Sequence, residues 1–179
     1  MKKRKALLSV IIIVLLALAV VFWLMNRGSG FMPAEATSSN GSHYVMELPE
    51  EMEPASMDSA SLHYEDGSRD LYVMVIDESK AKIISYGLDY DLETYMKIAS
   101  RTLDSAGLYL NKSLEINGNK ALQTEIKKNY KGKNIVYKLT CIESPKFFYQ
   151  VLTWTTEDRY KGNKEDMDKM ILSLKELDQ

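Results

Sequence analysis

Apolar positions follow three regimes along this chain: an unbroken run near the start, a polar stretch, and then alternating and helical spacings to the end. The unbroken run is Ala6 to Met25, ALLSVIIIVLLALAVVFWLM, twenty residues without a charge. At about 1.5 Å of rise per residue such a helix reaches roughly 30 Å, the thickness of a bilayer's hydrocarbon core. It predicts a transmembrane helix. Residues 26–42, NRGSGFMPAEATSSNGS, lack apolar payload and predict a flexible linker.

From His43 the pattern changes to that of one folded domain, residues 43–179. His43 to Pro49 predicts a strand ended by proline, followed by an acidic turn through Glu50, Glu51 and Glu53. Ala60–Tyr64 and Leu71–Ile76 predict an antiparallel hairpin turning at Glu65-Asp66-Gly67-Ser68. Ala81–Gly87 fits a short helix or a strand equally. Leu92, Tyr95, Met96, Ala99 and Leu103 recur at helical spacing and predict a helix over Asp91–Ala106, capped by Asp91 and ended by Gly107.

Four strands follow: 108–116, then 120–128 after the hairpin signal Asn117-Gly118, then 135–142, then 147–154. On the last of these both alternating sets are apolar or aromatic, which suits a central strand covered on both faces. Met167, Met170, Ile171 and Leu174 predict a closing helix over Lys164–Glu176 with Asn163 as its cap. Two amphipathic helices and a sheet apolar on both sides give an α+β domain, an antiparallel sheet sandwiched between helices.

Charge sets the orientation. Lys2, Lys3, Arg4 and Lys5 precede the apolar run, and residues 1–5 read as a basic cytoplasmic tail. The helix then runs N-in and C-out as a single pass through the cell membrane, with the domain on the extracytoplasmic side. The alternative is a cleaved secretory signal. Its apolar core would usually be about 7–15 residues ending in small side chains. Here the run is longer and ends in Val21-Phe22-Trp23-Leu24-Met25, with Ala34-Glu35-Ala36 the nearest small-x-small site. All 25 acidic residues follow Phe31 but only 18 of the 23 basic ones do, leaving the external part at −7. An acidic domain without a basic face is unsuited to nucleic acid.

Candidate chemistry is sparse. Cys141 is the one cysteine, on a predicted strand beside Tyr137 and Leu139, and reads as a buried apolar residue rather than a nucleophile. No catalytic set emerges, because neither His43 nor His63 comes with a nucleophile signature. A metal could be held by His43, His63, Glu65 and Asp66, with Glu47 and Asp70 nearby, although their spacing is not diagnostic. Isolated glycines make no phosphate loop, and no cofactor is expected. Tyr86, Tyr90, Tyr130 and Tyr160 fall near turns, where exposed rings could line a binding edge.

The order of elements, with Tyr44-Val45-Met46-Glu47-Leu48-Pro49, Ile116-Asn117-Gly118, the stretch Phe148 to Thr155 and Ile171-Leu172-Ser173-Leu174-Lys175, resembles the PsbP-like fold. Mog-type proteins and bacterial DcrB-type lipoproteins are similar. The resemblance covers roughly residues 43 to 177 and implies an α/β/α sandwich of a non-enzymatic accessory or binding protein. Such members are often tethered at an extracytoplasmic membrane face. It names no partner. The expectation is therefore a membrane-anchored bacterial binding protein for an envelope protein or a small ligand. The alternative is a metal- or small-ligand-binding domain using His43, His63 and nearby carboxylates.

Overall fold

The computed structural model describes residues 30–104 and 109–177. The predicted membrane helix, Ala6 to Met25, and the predicted helix end at Gly107 lie outside the described residues. Among the described residues no helix is long and apolar enough to cross a membrane.

Among the described residues ten strands and three helices build an α+β domain of antiparallel sheets. A small sheet has the order β1-β2-β10, from Phe31–Thr37, His43–Pro49 and Lys175–Glu176. The large sheet has seven strands in the order β3-β4-β5-β9-β8-β7-β6. These are Glu53–Pro54, Leu62–Asp66, Leu71–Ser79, Phe147–Thr156, Lys133–Glu143, Asn119–Tyr130 and Lys112–Ile116, named in that spatial order. The helices are α1 (Lys80–Ser85), α2 (Leu92–Leu103) and α3 (Tyr160–Ser173).

Side-chain alternation sorts the large sheet into two apolar faces. Val73 and Val75 of β5 and Tyr149 and Val151 of β9 face one side, where Met167, Met170 and Ile171 of α3 and Tyr44, Met46 and Leu48 of β2 pack on them. Leu122, Leu139, Cys141, Phe148 and Leu152 face the other side and receive Ile83 of α1 and Leu92, Tyr95, Met96 and Ala99 of α2. Each fully buried side chain of this size is worth about 1.5–3 kcal/mol. Strand β9 sits between β5 and β8 and is apolar on both sides, as its sequence requires.

Local chemistry fixes the turns. Asn117 and Gly118 both have positive φ, 48° and 82°, between the paired Ile116 and Asn119. That is the geometry of a two-residue hairpin, which Asn-Gly adopts at least cost. Lys131 and Gly132 repeat it between Tyr130 and Lys133. Asp91 caps α2 by accepting from the Thr94 amide at 2.8 Å.

Several boundaries differ from expectation. The predicted linker 26–42 contains strand β1. Its inward residues are Ala34 and Ala36, too small to give a hydrophobic signal, and Pro33 is tolerated because β1 is an edge strand. The ambiguous stretch 81–87 holds the short helix α1, capped by Ser79. Strand β4 begins at Leu62, and β6 at Lys112 rather than 108.

Helix α3 starts at Tyr160, four residues before its predicted start, so Asn163 lies inside it and is not a cap. The Asn163 amide is occupied by tertiary contacts. It donates to the Arg69 carbonyl at 2.9 Å and to Thr155 Oγ1 at 2.8 Å, and it accepts from the Arg69 guanidinium at 3.0 Å. Residues 175–176, predicted helical, pair with β2 as β10.

Candidate functional site

Helix α2 covers only part of its face of the large sheet. Register explains what is left open. Tyr72 of β5 pairs with Trp154 of β9, and Trp154 pairs with Tyr137 of β8, so the three rings line up across the sheet on the α2 side. Tyr72 and Trp154 stack at 5.2 Å between centroids and 7° between planes, and Tyr137 leans on Trp154 at 6.4 Å. His63 of β4 adds a fourth ring, 6.0 Å from Trp154 and nearly parallel to it.

The partly buried rings of Tyr72, Trp154 and Tyr137 floor a groove of about 470 Å³, with Met57, Tyr130 and Ile135 on its walls. A polar hollow of about 530 Å³ adjoins it and shares Asp70, Lys133 and Thr156. The volume is that of small-molecule and peptide sites. The hollow is rich in acid: Asp70, Glu157 and Asp158 against Lys133. Lys127 neutralises Glu157 at 2.7 Å. Burial raises the Tyr72 phenol pKa, and the Asp70, Glu65 and Asp66 carboxylates add to that rise. Burial also raises Tyr137. Both phenols therefore stay neutral and can donate hydrogen bonds near neutral pH.

At the far end of the same face lies a second pocket of about 350 Å³, between β5, β9 and the α1–α2 connection. Glu78 and Gln150 come from paired strands, Tyr95 from α2. The Tyr95 hydroxyl donates to Glu78 Oε2 at 2.5 Å, and the Gln150 amide donates to the Tyr95 oxygen at 3.0 Å. Burial, and then the hydrogen bond to Glu78, hold the Tyr95 pKa far above the ordinary phenol range.

The structure disperses the predicted metal ligands. His43 lies on the small sheet, 3.8 Å from Glu35. On β4, His63 and Glu65 face the aromatic side, whereas Asp66 points to the opposite face, where it accepts from the amides of Ser68 and Arg69. Both ring nitrogens of His63 are buried without a hydrogen-bond partner among the described residues. Among the described residues no group of three or more His, Cys, Asp or Glu could hold a metal. Cys141 is fully buried, and burial pushes its thiol pKa far up.

The four predicted edge tyrosines separate. Tyr86 and Tyr90 line the second pocket, Tyr130 lines the aromatic groove, and Tyr160 hydrogen-bonds Glu125 at the start of α3. Sequence reasoning missed Tyr72, Trp154 and Tyr137 as site residues. Each is an ordinary strand aromatic until the register sets them in one row.

No protein-family model matches the chain, and no curated protein is similar to it in sequence at a significant level. Solved structures are similar in fold. LpqN of Mycobacterium tuberculosis, described as involved in cell envelope biogenesis, superposes with a TM-score of 0.60 at 10% identity, over 83% of this chain and 92% of that one. A Bacteroides thetaiotaomicron protein superposes with a TM-score of 0.59 at 8% identity, over 85% of this chain and 50% of that one. The cyanobacterial PsbP protein of Synechocystis superposes with a TM-score of 0.53 at 12% identity, over 85% and 96%. The strand order, the helices and these superpositions together identify the domain's fold as PsbP-like.

Proposed function

We propose that this chain is a single-pass bacterial membrane protein whose extracytoplasmic domain is a non-catalytic binding module. The observation that carries the reading is the open, aromatic half of the sheet: Tyr72, Trp154 and Tyr137 in a row, walled by Met57 and Tyr130. Exposed aromatic surface of this kind favours association, because rings bury large area at little conformational cost. Among the described residues that line the groove, none pairs a nucleophile with a histidine base. Support for the setting comes from the apolar run Ala6 to Met25 with its basic flank, and from fold neighbours that include an envelope-biogenesis protein.

Strand β1 shortens the connection between membrane and domain. Residues 26–30, five in number, separate Met25 from Phe31. With Glu157 paired to Lys127, Asp70 and Asp158 against Lys133 leave a small negative excess beside the groove, which favours an uncharged or basic segment of an envelope neighbour.

The test is a crosslinking pull-down of the full chain from intact envelopes, comparing wild type with Met57→Ser/Tyr130→Ser. Both residues are exposed, 42% and 55%, so the double variant keeps its fold. A specific partner recovered by wild type and lost or strongly reduced in the variant supports the reading. Recovery of nothing specific, or of the same partner at the same yield by the variant, contradicts it.

A further inference from the structure

We propose that the pocket between β5, β9 and the α1–α2 connection binds an organic ammonium ion. The proposal is independent of the aromatic groove at the other end of the sheet. Its anchor is Glu78, a partly buried carboxylate that faces the pocket. Its Oε2 accepts from the Tyr95 hydroxyl at 2.5 Å and from the Gln150 amide at 3.4 Å, both neutral donors.

Three partly buried acids in the fold each hold a cation. Glu143 holds Lys80 at 2.7 Å, Asp166 holds Arg69 at 2.5 Å and Asp168 holds Lys138 at 2.5 Å. Glu78 forms no such bridge among the described residues. Of the two nearby lysines, Lys80 is held by Glu143 and the Phe148 ring, and Lys82, at the pocket's edge, donates to Asn40 Oδ1 at 3.3 Å rather than to Glu78. A carboxylate removed from bulk water and left without a counter-ion is a site that a mobile cation stabilises.

The walls choose which cation. Tyr86 and Tyr90 offer two aromatic rings, and Leu88 and Ile98 close the mouth with apolar surface. Tyr86 is 69% exposed, Leu88 44% and Ile98 45%, an unusual cost for surface with no partner. Tyrosine faces attract a cation through their quadrupoles, most strongly when it is weakly hydrated, as alkylated ammonium ions are. A hard divalent metal needs several oxygen ligands free to converge on it, and the pocket's other carboxylate, Asp77, is buried and accepts from Ser38 Oγ at 2.6 Å. An ammonium with an apolar body matches carboxylate, rings and rim at once. About 350 Å³ accommodates a small amine or the alkylated end of a larger one.

Calorimetric titration of the full chain in nonionic detergent tests the assignment, with choline as probe and 3,3-dimethyl-1-butanol as its uncharged isostere. The expected result is saturable choline binding, about ten-fold or more tighter than the alcohol. Glu78→Gln keeps a hydrogen-bonding side chain but removes the charge. Glu78→Gln and Tyr86→Ala should each weaken choline about five-fold or more, while Tyr86→Phe retains binding. Tyr86 lies at the surface, so its variants report on the site even if Glu78→Gln perturbs packing. Absence of saturable choline binding overturns the proposal, as does equal affinity for the alcohol or unchanged affinity in Tyr86→Ala.

Discussion

At the residue scale, burial decides what the polar groups of this domain can do. Cys141 is enclosed between α2 and the sheet, and its thiol is held in the neutral form by desolvation. The phenols of Tyr44, Tyr95 and Tyr149 are raised chiefly by the same cause. For these groups the folded pKa exceeds the unfolded one, which is about 9.0 for the thiol and 10.0 for the phenols. Their contribution is complete below those values and is lost as pH rises, because the unfolded chain ionises and the folded chain resists. Denaturant midpoints should be flat near neutrality and fall above about pH 9. In the native state Cys141 should not react with a thiol reagent until the domain unfolds. Rapid labelling of native protein at pH 7 would contradict the buried assignment.

Cys141 was legible in the sequence, because alternation on IVYKLTCI sets it beside Tyr137 and Leu139. The pocket-lining tyrosines were legible only in part. Proximity to turns picked out Tyr86, Tyr90 and Tyr130, which do line pockets, but also Tyr160, which is bound to Glu125. Trp154 and Tyr72 gave no signal, since a pairing between strands 82 positions apart in sequence is not written in either strand.

At the scale of elements, patterns of large apolar residues transferred well and patterns of small or polar residues did not. Helix α2 and strands β5, β7, β8 and β9 follow their hydrophobic periods closely. Strand β1 was invisible because alanines face inward along it, and its partner β2 supplies the bulk. Asn163 gave a false helix start. Asparagine at the head of an apolar period is an ordinary cap signal, but here its amide ties α3 to the β4–β5 turn and to Thr155.

That tertiary role makes a quantitative prediction. Removing the amide leaves the buried Thr155 hydroxyl and the Arg69 carbonyl without their partner. Asn163→Ala should therefore cost about 2–3 kcal/mol in equilibrium unfolding, above the ~1 kcal/mol typical of a lost cap. A loss below about 0.5 kcal/mol would mean that the Arg69–Asn163–Thr155 contacts are not what fixes α3.

At the scale of the whole molecule, the large sheet uses its two faces differently. One face is closed by α3 and the small sheet, and serves stability. The other is closed by α2 over its middle and left open at both ends, where the aromatic groove and the Glu78 pocket lie. In the proposed binding role a sheet face needs no mobile lid, which keeps the entropic cost of recognition low.

The most direct test of the central claim is site-specific photocrosslinking of the full chain in intact cells. A photoreactive phenylalanine analogue would replace Tyr130, in the groove, or Leu172, exposed on the opposite, α3 side. The account predicts one specific adduct from position 130 and none from position 172. Adducts of the same size and yield from both positions, or none from position 130, would contradict a binding module that works through its aromatic face.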